Sequence, residues 1–117
     1  MGRDLTILVT GGGAPGIAGT FYALRNNPDG ERVKIITCDM RDEVVGKYLA
    51  DKFYLVPPGE SPEFIKKILE IAVQEKVDVI LPQVTQELLP LSESLPIFEA
   101  KGIKSCSITK IVNNPSQ

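Results

Sequence analysis

Apolar residues fall along the chain in two kinds of run that take turns, and the alternation itself predicts an architecture. Leu5, Ile7, Leu8 and Val9 make a short, nearly continuous run rich in β-branched neighbours, the pattern of a parallel strand covered on both faces. After a group of glycines, Ile17, Phe21 and Leu24 recur at helical spacing until Asn26, Asn27, Pro28, Asp29 and Gly30, turn residues that cannot continue a helix. Residues 33–38 repeat the buried-strand pattern, and Val44, Val45, Tyr48 and Leu49 then supply a shorter helical face. Residues 53–56 read as a third strand, stopped by Pro57, Pro58 and Gly59.

The clearest helix start is at Ser61, Pro62 and Glu63: serine is a good N-cap, proline fits the first helical position, and glutamate complements the helix dipole. Phe64, Ile65, Ile68, Leu69 and Ala72 form one face of this helix and Lys66, Lys67, Glu70 and Gln74 the other, so it should lie against a sheet. Residues 77–81 are the fourth strand, ended by Pro82. Residues 85–101 read as two short helices interrupted by Pro90 and Pro96, with Gly102 as the stop, and residues 103–108 as a last strand.

Strands alternating with helices across short loops specify parallel βαβ units with right-handed crossovers. The expected fold class is therefore α/β: a Rossmann-like, doubly wound parallel sheet of about five strands in three layers (α/β/α). Residues 1–108 form the expected domain, and residues 109–117 a tail or linker toward a further part of the protein. At 117 residues the chain is long enough for one core and short for two.

Charge and composition narrow the function classes. Thirteen basic residues against fifteen acidic ones leave a net charge of -2 with no basic cluster, so nucleic acid is not an expected partner. The opening apolar run is too short for a signal peptide or membrane span, and cytoplasm is the expected location. Cys38 and Cys106 stand far apart with no neighbours at metal-ligand spacing, and histidine is absent altogether. Chemistry here must rest on carboxylates, lysines or backbone amides. Asp39, Asp42 and Glu43 cluster at a helix start, where acids commonly cap the helix and complement its dipole; we assign them no metal, and no residue a catalytic role.

The segment Gly11, Gly12, Gly13, Ala14, Pro15, Gly16 satisfies G-x-G-x-x-G between a strand and a helix. Such a loop would aim the amides of the first helix at a crevice and favour an anion. One reading is a stand-alone NAD(P)- or nucleotide-binding module, with Asp39 at the end of strand two as the ribose-binding, cofactor-contacting acid. Another is that the glycines merely build a tight turn. A Walker P-loop is excluded, because the loop contains no lysine and no Gly-Lys-Ser or Gly-Lys-Thr follows.

Beyond strand two the chain resembles the N-terminal, pre-ATP-grasp domain of ATP-grasp ligases, particularly proteins similar to the carbamoyl-phosphate synthase large subunit. Four segments carry the resemblance: residues 11–16, residues 39–51, residues 54–57, and residues 78–82 followed by Thr85, Gln86, Glu87 and Leu88. Their order spans nearly the whole chain. The resemblance implies a domain that walls one side of the active-site cleft of a carboxylate–amine ligase. It places Gly11, Gly12, Gly13, Ala14 and Gly16 toward a small carboxylate or amine substrate, with Gln83, Thr85, Gln86 and Glu87 lining the same cleft. It also implies that this chain holds no cofactor itself, and that ATP and Mg bind in a C-terminal ATP-grasp domain where the acyl phosphate forms. The assembly state, homodimer included, is left open.

Overall fold

The computed structural model describes residues 5–26 and 32–104. Four strands, β1 (Leu5–Thr10), β2 (Val33–Asp39), β3 (Lys52–Leu55) and β4 (Val79–Leu81), pair in parallel in the order β3-β2-β1-β4. Five helices, α1 (Ile17–Arg25), α2 (Val45–Leu49), α3 (Phe64–Gln74), α4 (Thr85–Glu93) and α5 (Leu95–Glu99), join them.

The period of two along each strand decides which helix lies where. Ile7, Val9 and Ile35 project to one face and bury Ile17 and Phe21 of α1, with Ala50 after α2 packed beside them. Leu8, Ile36 and Ile80 project to the other, where they meet Phe64, Ile68, Ile71 and Ala72 of α3, Leu91 of α4 and Phe98 of α5. The sheet is thus the middle of three layers. The chain walks outward from β1 to β3 with α1 and α2 on one face, then α3 carries it back across the other face to lay β4 beside β1. Strand order reverses between β1 and β4, and at such a reversal the flanking loops part and leave a crevice. Among the described residues no helix is long and apolar enough to cross a membrane.

Element boundaries depart from the sequence expectation where side chains stand in for backbone. β4 begins two residues late because Asp78 meets β1 with its side chain as well as its backbone: Thr6 N–H donates to Asp78 Oδ2 (2.9 Å) and Asp78 N–H donates to the Thr6 carbonyl (2.8 Å). The turn before α3 keeps the expected cap, since Glu63 N–H donates to Ser61 Oγ (3.1 Å), but its Phe64 N–H reaches only the Ser61 carbonyl, and regular α-helix starts at Phe64. α4 runs straight through Pro90 and ends before Ser94. Pro90 can give no N–H to the Gln86 carbonyl, and that carbonyl instead faces Gly59, where an added Cβ would lie 2.7 Å from the oxygen. On the buried face of α3, Ile71 joins the stripe, while Ile65 and Leu69 are only partly covered.

At the far end of α3, Glu75 accepts from Lys52 (2.7 Å) and from the Tyr54 hydroxyl, and Lys34 stands 3.6 Å away. The Lys52 ammonium, with Tyr54, holds this carboxyl below the usual carboxylate range. β3 is the edge strand, with Lys52 and Leu55 exposed, and the ion pair ties that edge to α3. On the opposite edge, Lys104 forms a parallel bridge to Val79, with Ile80 N–H donating to the Lys104 carbonyl at 2.7 Å. This is where the expected fifth strand begins; residues 105–108 lie outside the described residues, as do Cys106, the tail and most of the turn at 26–30.

Ile68 is fully buried in the core, whereas Val73 on the same helix is 51% exposed. Ile68→Ala should lower the unfolding free energy by about 2–5 kcal/mol in urea denaturation, and Val73→Ala should change it by less than about 0.5 kcal/mol. Equal effects at the two positions would mean that α3 packs on a different face.

Candidate functional site

Every β-to-α connection in the described chain reaches one cleft of ≈ 280 Å³ above the carboxyl ends of the strands. Gly11, Gly13 and Ala14 enter it after β1, Asp39, Met40 and Arg41 after β2, Pro58, Gly59 and Glu60 after β3, and Val84, Gln86 and Glu87 after β4. Open α/β sheets place ligands at this end because only there do the loops diverge around a gap.

The glycine loop is shaped by what it touches. Gly11 has a positive φ of 73°, and a Cβ there would press on Val84 and Gln83. Gly12 donates its N–H to the Cys38 carbonyl (2.8 Å) and accepts from Gly46 N–H (2.9 Å), so β1, β2 and α2 converge on it. Gly13 N–H donates to Asp39 Oδ2 (2.8 Å), Ala14 N–H to the Gly11 carbonyl (2.9 Å), and Ile17 N–H to the Ala14 carbonyl (3.2 Å). Gly16 is the left-handed N-cap of α1, with φ 82°, and lies outside the cleft.

Asp39 closes the other side of this loop. Its Oδ2 holds Gly13 and its Oδ1 accepts Arg41 N–H (2.9 Å), with Arg41 Nε 3.6 Å away. Both carboxylate oxygens are therefore turned onto the protein's own backbone, and the Arg41 side chain, 64% exposed, is left at the cleft mouth as its cation.

Glu87 is the acid most buried among those lining the cleft, at 6% exposure on the first turn of α4. Thr10, fully buried at the end of β1, donates its hydroxyl to Glu87 Oε1 at 2.5 Å. Burial pushes the Glu87 carboxyl up to about 7; the Thr10 hydrogen bond pulls the other way, and the Asp39 charge adds to the rise. Cys38 lies behind it, wholly buried, and burial first and then the charges of Glu87 and Asp39 push its thiol up, so it is a packing residue rather than a nucleophile.

Of the residues singled out in the sequence, Gly11, Gly13, Ala14, Gln86, Glu87 and Asp39 meet around the cleft. Gly12 sits beneath it as a structural joint. Gln83 turns toward α1, accepting from Thr20 Oγ1 at 3.4 Å, and Thr85 is exposed on α4. Asp42 pairs with Lys47 (3.1 Å) and Glu43 accepts from the Tyr48 hydroxyl (2.8 Å), both along α2 and outside the cleft. Sequence reasoning missed Thr10, Arg41, Met40 and the loop after β3. The rule that strand ends carry ligands applies to all four connections and would have named Arg41 and Glu60, while Thr10 shows only through its partner.

Comparison with known proteins bears on the family and the fold. A family model described as "PylC-like, N-terminal domain" matches residues 7–106. Among solved structures, glycinamide-RNase-transformylase T from Mycobacterium tuberculosis superposes with a TM-score of 0.64 at 12% identity, over 86% of this chain and 28% of that one. The likeness at that identity is one of fold, and the chain spans just over a quarter of that structure's length. No curated protein matches the chain in sequence.

The raised value at Glu87 fixes the sign of a pH effect. A carboxyl that holds its proton more tightly folded than unfolded adds stability below its ordinary value of 4.5 and loses that contribution as pH rises to about 7. Glu87→Gln keeps the shape and cannot ionise. The variant should gain stability relative to the native chain between pH 5 and pH 8, by on the order of 2–3 kcal/mol, read as the difference in urea midpoints. A difference that does not change with pH would show that Glu87 is ionised across the whole range.

Proposed function

The chain belongs to the PylC-like N-terminal domain family, a family of ATP-grasp enzyme N-terminal domains, and from that premise we propose that it is the substrate-side wall of a carboxylate–amine ligase. In this reading the cleft above β1 and β4 receives the small substrate. ATP and Mg bind in a C-terminal ATP-grasp domain, where the substrate carboxylate becomes an acyl phosphate open to attack by an amine. The family match supports an ATP-grasp setting; a role like that of the carbamoyl-phosphate synthase large subunit rests on the order of the four sequence segments alone, so the proposal is the broader one.

One observation carries the reading against a dinucleotide module: Asp39 is closed onto Gly13 and Arg41. A ribose-binding acid must present free oxygens to two hydroxyls, and a pyrophosphate needs loop amides that point at it. Here the amides of Gly12, Gly13 and Ala14 all have partners within the protein. What the cleft offers instead, among the described residues, is compact: one guanidinium at the mouth and, beside the clamped Asp39, the buried Glu87 carboxyl at the floor, in a space of ≈ 280 Å³. On this chain Arg41 would meet the anionic group of the substrate, since a guanidinium recognises carboxylates by paired N–H donors.

Two measurements test the proposal together. NADH followed by fluorescence should show no saturable binding, and the isolated chain should hydrolyse no ATP with magnesium present, because none of the described acids cluster as metal ligands and no described lysine lines the cleft. Micromolar NADH binding that disappears in Asp39→Ala would sink the ligase reading and establish the dinucleotide module in its place.

A further inference from the structure

Glu87 is more than nine-tenths buried, lines the cleft, and uses one oxygen: Oε1 accepts from Thr10, while Oε2 has no partner among the described residues. A buried carboxyl with an unmet oxygen is a costly arrangement in an empty site and a favourable one once a donor arrives. The groups around it define the sign of that donor. Asp39 approaches from the end of β2 with the Cys38 thiol behind it, Glu60 lines the cleft after β3, and Gly59 brings uncharged backbone against the Glu87 stem. Arg41 is the one cation lining the cleft among the described residues, and it already leans on Asp39. With Asp39 beside the floor, Glu60 at the rim and the single guanidinium turned to Asp39 at the mouth, the floor around Glu87 has no described cation of its own and favours positive charge.

Resting on the reading above, we propose that Glu87 receives a primary ammonium group of the ligand through Oε2, and that where Glu87 is protonated the ligand's entry releases that proton. In the empty cleft, burial and the Asp39 charge favour the neutral acid, so near neutral pH a large share of Glu87 carries its proton. The arriving ammonium donates N–H to Oε2, the acid proton leaves to solvent, and a charge-assisted pair replaces a neutral carboxyl. The balance is R–NH3+ plus Glu87–COOH giving R–NH3+ paired with Glu87–COO− plus H+. A ligand carboxylate in the same place would do the reverse, holding the proton on Glu87 more tightly. The direction of proton movement therefore reports which end of a ligand sits on the floor.

The test follows the Glu87 side-chain carboxyl carbon by NMR across the pH range in the native chain, with ethylammonium chloride, sodium acetate or sodium chloride at matched ionic strength. Near saturation with ethylammonium the titration midpoint should fall by about one to three pH units, the effect of an opposite charge within contact distance, while sodium chloride leaves it in place. By linkage ethylammonium should then bind about tenfold more tightly above the midpoint than below it for each unit of that fall. A midpoint that ethylammonium never lowers, or that acetate lowers as much, overturns the inference. If acetate alone binds and shifts the Gly13 and Arg41 amides, the inference falls while the ligase reading stands; saturable NADH binding removes the ligase reading itself.

Discussion

Gly12 lies where three pieces of backbone meet, and the rest of the structure is arranged around that closeness. Its N–H holds the end of β2 and its carbonyl receives the first turn of α2, whose own Gly46 could carry no Cβ without coming within 2.6 Å of the Gly12 oxygen. The missing side chain of Gly46 lets α2 sit directly on the loop after β1, while Gly12 itself packs against Thr37 of β2. From that contact follow the direction in which Gly13 leaves, the angle at which Asp39 can catch it, and the depth of the cleft between the two. A side chain at Gly46 would push α2 off the Gly12 backbone, and one at Gly12 would press on Thr37 of β2.

Two acids at the cleft illustrate how placement alone assigns different work to the same functional group. Asp39 lies at a strand end beside two backbone N–H groups and becomes a clamp that gives the loop its shape. Glu87 lies beyond β1, after β4 on a helix whose first turn enters the core, and finds a single hydroxyl. The clamp is closed by the protein, while the second acid keeps one oxygen without a partner among the described residues. That division is what the proposed substrate-side role would call for.

Most of the layer architecture was legible because it depends on periods that a sequence states openly. The doubly buried runs of β1 and β2, the stripe through Phe64, Ile68 and Ala72, and the glycines between β1 and α1 all have one reading in a parallel sheet. The boundaries were less legible, since Asp78 replaces a backbone partner and Pro90 is tolerated where Gly59 meets the carbonyl it frees; neither compensation is local in sequence. For the site, the loop, Asp39 and Glu87 were visible as candidates, whereas their partners were not. Asp39 has the position of a ribose ligand, and its contacts with Gly13 and Arg41 could be seen only in the fold. Thr10 had no signal at all, because its partner lies 77 residues away.

The meeting of Gly59 with Gln86 has a consequence for how such a cleft can diversify. That stretch of wall is backbone against backbone, with an added Cβ placed 2.7 Å from the Gln86 oxygen, so it offers an evolving lineage no side chain to exchange. The loop glycines and the Asp39 clamp are equally closed to revision. Variation in what the cleft admits must then be written at its rim, in Met40, Arg41, Glu60 and Gln86, which face solvent and hold nothing else in place through their side chains except for the Arg41 contact with Asp39. A library randomised at those four positions would sample new ligand preferences on an unaltered frame, while one spread over the loop would mostly return chains that no longer fold.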